Sequence, residues 1–125
     1  MMDLAQLIGR RVRIIGIDLP NDPNAIHELP SAVVRMIDTA DQLILVEFLM
    51  PVRVKAETYS LAVVSPRHEG DDLRVLLQGG TMSCAVTCIP PHRYDPARPF
   101  DVSWWRGGGA AIGGLVLEST SSPAT

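Results

Sequence analysis

The stretch "SAVVRMIDTADQLILVEFLM", residues 31–50, decides the fold class. Its two apolar runs flank the short polar segment "TADQ" and cover residues 31–38 and 43–50. Runs of this length, rich in β-branched residues and separated by a turn, are typical of paired strands. In the second run the alternate residues Ile44, Val46 and Phe48 would face a core, and Glu47 would lie on the other side. We therefore expect two antiparallel strands joined by a turn.

Further strand-like segments lie on both sides of this pair. They are "RVRIIGID" (11–18), "TYSLAVV" (58–64), "LRVLLQ" (73–78) and "TMSCAVTCI" (81–89). The pair Gly79-Gly80 between the last two predicts a hairpin turn, because primed turns need positive φ. Longer connections are expected at 19–30 and 51–57, and Asp3 is expected to cap one helical turn over 4–8. The pattern predicts an all-β chain, a small antiparallel barrel of five to six strands.

The composition changes after the last of these strands. "PPHRYDPARP" (90–99) holds four prolines and predicts an extended chain. "FDVSWW" could add a strand, "RGGGAAIGG" is expected to be flexible, and "LVLE" could pair once more. The expected organisation is a barrel domain over 1–92, an extended Pro/Gly-rich C-terminal arm packing on it over 93–118, and a disordered tail over 119–125.

The first part of the chain resembles an SH3-like barrel of the KOW or Tudor type. The resemblance covers residues 8 to about 89 and depends on "G-x-x-V-x-I" from Gly9 to Ile14, a long loop, and two strands around a tight turn ending in "LILVEF". It implies the fold and carries over no site residues. KOW modules that bind nucleic acid are generally basic, whereas this chain has a formal net charge of -3.

Composition narrows the classes of function. Mild acidity argues against the basic field that drives non-specific nucleic-acid binding. The N-terminal "MMDLAQLIGRR" lacks the order of a secretory signal, and the apolar stretch 107–117 is too short to span a bilayer as a helix. We expect a cytoplasmic protein without a cofactor. Ten of the eleven basic residues are Arg, which together with the many Ala, Gly and Pro suggests a bacterial source.

Both cysteines fall in one expected strand. Cys84 and Cys88 would share a face with Met82 and Val86, so both are expected to be buried core residues. As strand residues they lie roughly 13 Å apart, too far for a shared metal or a disulfide. His92 follows two prolines and completes no ligand set. We therefore expect no metal site.

The aromatic residues concentrate in the arm. Four of the six lie between residues 94 and 105, and Trp, Tyr and Arg are enriched in binding hot spots. One alternative is that the arm closes a barrel end and buries the rings. The other is a partner-binding surface made of Tyr94, Phe100, Trp104, Trp105 and Arg106.

Two polar groups of residues offer other functions. The loop "SPRHEGDD" (65–72) is a solvated loop or, as the best candidate for a small-ligand or catalytic site, a cluster of Arg67, His68, Glu69, Asp71 and Asp72. A basic patch that could bind nucleic acid would comprise Arg10, Arg11, Arg13, Arg35 and Arg53.

The expected function is a non-enzymatic protein-interaction module: an adaptor, an accessory subunit or an immunity-type protein. The alternatives are a nucleic-acid-binding KOW-like domain and a small enzyme or ligand-binding protein using the 65–72 loop. We expect a protein partner and no association with a membrane. A homodimer could form through an edge strand such as 43–50 or through a tryptophan face.

Overall fold

The computed structural model describes residues 3–18, 29–54, 57–68, 72–101 and 110–118. Six strands, one short helix and two 3₁₀ turns occur in these ranges. The strands are β1 (Arg11–Asp18), β2 (Ala32–Asp38), β3 (Leu43–Val54), β4 (Glu57–Pro66), β5 (Thr81–Ile89) and β6 (Ala110–Leu117). The 3₁₀ turns are Leu4–Leu7 and Pro91–Arg93, and the helix is α1 (Arg74–Leu77).

The strands form a closed antiparallel barrel in the order β1-β2-β3-β4-β5-β6. Each strand pairs with its neighbours in sequence, and β6 returns to pair with β1, for example Ile14 with Leu115. The predicted all-β barrel is confirmed. At the level of the fold it is compatible with an SH3-like barrel.

The interior follows the alternation of the strands. Inward residues such as Val34, Ile44, Val46 and Val86 are completely buried. Leu4 and Leu7 of the first 3₁₀ turn join the same core cluster, together with Leu73 and Leu76. The first turn begins as predicted, because the Asp3 side chain accepts a hydrogen bond from Ala5 N–H.

The predicted strand 73–78 is wrong, since the chain makes the short helix α1 there. Leu73 and Leu76 are three residues apart, so one helical turn directs both into the core, where each is almost fully buried. Gly79 ends the turn with φ +83°, a conformation that glycine adopts without steric cost. Gly79-Gly80 therefore ends a helix rather than making a two-strand hairpin.

The predicted connection at 51–57 is also wrong, because β3 continues to Val54 and β4 begins at Glu57. The strand register explains why the sequence pattern does not reveal the full length of β3. Glu47 pairs with Leu61 and Val52 pairs with Tyr59, so residues 48–51 lie opposite Ser60 alone. A bulge of this kind breaks the period of two from which strands are recognised.

The glycine-rich sequence expected to be flexible contributes a barrel strand from residue 110 onward. Gly114 of β6 lies between Thr81 and Ile15, and a Cβ there would come 2.9 Å from Thr81 Cγ2. Glycine thus permits close approach of the side chains on either side. β6, which lies within the range 93–118 of the expected arm, pairs with β1 and β5 and closes the barrel.

A second apolar cluster lies outside the barrel. Leu45, Val63 and Ile89 project outward from β3, β4 and β5, yet are only 1–3% exposed. Tyr94 and Phe100, which follow β5, pack against this cluster. Residues 90–101 therefore act as a covering segment for one side of the barrel. No helix among the described residues is long and apolar enough to cross a membrane.

Candidate functional site

The two cysteines lie inside the barrel, as the sequence predicts. Cys84 is fully buried, Cys88 is 9% exposed, and neither forms a disulfide. Burial raises the pKa of each thiol to about 11. Because the thiolate is the reactive form, both cysteines are poor nucleophiles and poor metal ligands near neutral pH. No group of three or more His, Cys, Asp or Glu within the described ranges could hold a metal ion.

The 65–72 segment divides into parts with different roles. Ser65 and Pro66 belong to β4, and Arg67 and His68 are exposed beyond it. Asp72 holds the start of α1, since its Oδ1 accepts from Arg74 N–H at 2.9 Å. That backbone hydrogen bond is the largest cause that lowers the pKa of Asp72, and the Arg74 guanidinium lowers it further. The other two predicted members, Glu69 and Asp71, lie outside the described residues.

Two of the four aromatic residues of the arm, Tyr94 and Phe100, contact the same apolar cluster. Tyr94 and Phe100 are half-buried against the outer cluster, where they cover Leu45 and its neighbours. Most of their apolar contact is thus made within the chain. Trp104, Trp105 and Arg106 lie outside the described residues.

The arginines proposed as a basic patch are partly neutralised. Arg35 Nε donates to Glu47 Oε1 at 2.8 Å. Arg11 Nε lies 3.8 Å from Glu118 Oε2, which is within ion-pair range but too long for a hydrogen bond. Arg10 is half-buried, and its Nε has no hydrogen-bond partner in the part of the chain that the structure describes. Arg13 is exposed on β1 and Arg53 is exposed on β3. The five arginines therefore do not present five free charges.

The outside of the barrel carries a feature that sequence reasoning missed. The bulge of β3 presents three consecutive exposed apolar residues, Leu49, Met50 and Pro51, which we call the β3 hump. Leu49 is 48% exposed and Met50 is 68% exposed. The available signal was the run "FLMPV", which is apolar at every position and so cannot place all its side chains inside.

The hump is anchored on one side and unpaired on the other. Leu49 N–H donates to the carbonyl of Ser31 at 2.8 Å, which ties the hump to the segment entering β2. Toward β4, the four residues 48–51 share a single opposite residue, Ser60. The extra length must bow out of the sheet, so the hump projects from the barrel surface.

The sequence matches no protein-family model, and comparisons with curated proteins and with solved structures found no match.

Proposed function

We propose that this chain is a non-enzymatic module that binds a protein partner. The observation that carries the proposal is the β3 hump, where Leu49 is 48% exposed, Met50 is 68% exposed and the adjacent Pro51 is exposed as well. Adjacent exposed apolar side chains, unlike single scattered ones, are typical of interaction sites.

The environments of the two cysteines and of Asp72, which belongs to the 65–72 loop, support the same function. Cys84 and Cys88 pack inside the barrel, and Asp72 accepts a hydrogen bond from Arg74 N–H at the start of α1. Neither arrangement is one that activates a nucleophile or a general base. A binding module needs no such group, and its function depends on the shape and polarity of its outer surface.

The SH3-like resemblance of the KOW or Tudor type fits this proposal. Small barrels of that kind present side chains from strands and connecting loops on a rigid sheet, which suits recognition more than catalysis. An adaptor, an accessory subunit or an immunity-type protein of the bacterial cytoplasm would use such a surface. The ion pairs of Arg11 and Arg35 make the nucleic-acid alternative weaker.

Affinity capture of the tagged full chain from its host, with and without nuclease, tests the proposal. A stoichiometric protein partner that survives nuclease supports it. Capture that disappears with nuclease and weakens steeply with salt would replace it with the nucleic-acid alternative. Failure to retain any protein under either condition would overturn it.

A further inference from the structure

The β3 hump has the form of an anchor. It contains three adjacent apolar residues on a strand that pairs with β2 up to Phe48 and with β4 before and after the bulge. Phe48 before it and Val52 after it both point inward and are 3–4% exposed. The hump is therefore fixed at both ends by core side chains, and presenting Leu49 and Met50 requires little ordering on binding.

The size of the hump argues against a second copy as its occupant. A stable dimer interface buries about 800 Å² on each partner. Three partly exposed side chains fall well short of that area, so two copies that meet hump to hump would not form a stable dimer. A concave surface can contact the hump from several sides, so the matching surface is a pocket in a different protein.

The charges near the hump indicate the polarity of the pocket rim. Glu47 is paired with Arg35, so this pair contributes no net charge. Arg53 is exposed, and no salt bridge among the described residues involves it. It lies three residues after Met50, within roughly 10 Å by strand rise. The exposed Ser60 and Thr58 on β4 add only neutral groups.

We propose that the β3 hump inserts Leu49 and Met50 into an apolar pocket of a heterologous protein partner, with a carboxylate on the pocket rim facing Arg53. This rests on the proposed function and names the surface and the chemistry of the partner. Apolar anchors in desolvated pockets supply much of the binding energy of an interface, whereas a rim charge acts mainly on association rate and salt dependence.

Site-specific photo-crosslinking in the host tests the proposal. A benzophenone amino acid replaces Met50 in one variant and Ile15 in another, which is a matched control because Ile15 is 46% exposed on β1. The expected result is one heterologous protein crosslinked from position 50 and not from position 15, with the crosslink in an apolar pocket. Nuclease is present throughout.

The crosslinked protein is then purified and titrated with variants of the full chain. We expect Met50→Asp to weaken affinity about 10-fold or more, Arg53→Glu to weaken it by a smaller factor that shrinks with salt, and Ile15→Asp to leave it unchanged. Unchanged thermal unfolding of Met50→Asp excludes misfolding, and Met50→Ala serves as a milder variant.

The remaining outcomes separate the two proposals. A partner crosslinked only from position 15, a crosslinked second copy, or full affinity of Met50→Asp would overturn the hump as the anchor and leave the interaction module standing. If no protein is crosslinked from either position or captured by the wild-type chain, both proposals fail.

Discussion

Strand β3 carries two outward apolar segments with opposite environments. Leu45 is 1% exposed, whereas Leu49 and Met50, four and five residues further along the strand, are 48% and 68% exposed. The difference comes from the covering segment, since Tyr94 and Phe100 pack over the cluster of Leu45 and do not bury the hump. Whether an outward apolar residue of this barrel is buried or exposed to solvent therefore depends on a segment that is distant in sequence.

The largest expected contrast is between two leucine truncations on this strand. Leu45→Ala should lower the free energy of unfolding by about 2–4 kcal/mol, because it opens a cavity between the barrel and the covering segment. Leu49→Ala should change it by less than about 0.5 kcal/mol, as exposed substitutions usually do. Urea unfolding of both variants measures the contrast. Equal losses would contradict the division of β3 into a covered and a bare part.

The two buried thiols of the barrel interior should make the stability of the protein depend on pH. The pKa of Cys84 and Cys88 is about 11 in the folded chain and about 9 when exposed. The unfolded chain therefore loses these protons first, and stability present below pH 9 should fall as the pH rises toward 11. The loss is on the order of 2 kcal/mol for each thiol.

Unfolding at pH 8 and pH 10.5 of the wild type and of a Cys84→Ala/Cys88→Ala variant isolates the thiols. The variant is less stable at both pH values but should show a smaller drop between them. An equal drop in both proteins would mean that the thiols are not protected by burial. We also expect a thiol reagent to label both cysteines slowly in the folded protein and rapidly once urea unfolds it.

The covering segment should show an intermediate effect. Phe100→Ala should cost about 1–2 kcal/mol, less than a fully buried phenylalanine, because the ring is half-buried. The double variant with Leu45→Ala should lose less stability than the sum of the two single losses, since the residues share one cluster. A double-mutant cycle measures this coupling, and the pair Phe100→Ala with Leu49→Ala is its additive control. Simple additivity with Leu45 would show that the covering segment does not seal that cluster.

The smallest effect is expected at the boundary between the two parts. Glu47 lies between Leu45 and Leu49 and pairs with Arg35, but the two side chains are 46% and 52% exposed. Glu47→Gln should therefore cost no more than about 0.5 kcal/mol, and less in high salt. Thermal unfolding at low and high salt checks this, with Arg35→Gln as the partner variant. A loss above about 1 kcal/mol would make this pair a structural element instead.

Local pattern predicted the regular parts of the barrel. The alternation of β5 placed Cys84 and Cys88 inside, and the apolar runs around "TADQ" gave the β2–β3 pair. The failures occur where the period is interrupted or where tertiary contacts decide. The bulge at 48–51 breaks the alternation, and Gly114 suits a strand only because Thr81 and Ile15 fill the space above it.

The candidate surface was harder to predict for the same reason. Tyr94 and Phe100 could equally have been exposed, because their burial depends on Leu45, Val63 and Ile89 from three different strands. The hump follows from a register in which four residues oppose one. The run "FLMPV" indicates that an apolar side chain must be exposed, but the strand register and the contacts of the covering segment depend on residues distant in sequence.

The covered part of β3 should maintain the fold, and the exposed part should bind a partner. The most direct measurement determines, for Leu45→Ala and Met50→Asp side by side, the free energy of unfolding and the affinity for the crosslinked partner. We predict that Met50→Asp unfolds like the wild type but binds about 10-fold more weakly, whereas Leu45→Ala is destabilised by about 2–4 kcal/mol and, while folded, still binds. Full binding by Met50→Asp, or destabilisation of it comparable to that of Leu45→Ala, would contradict the account.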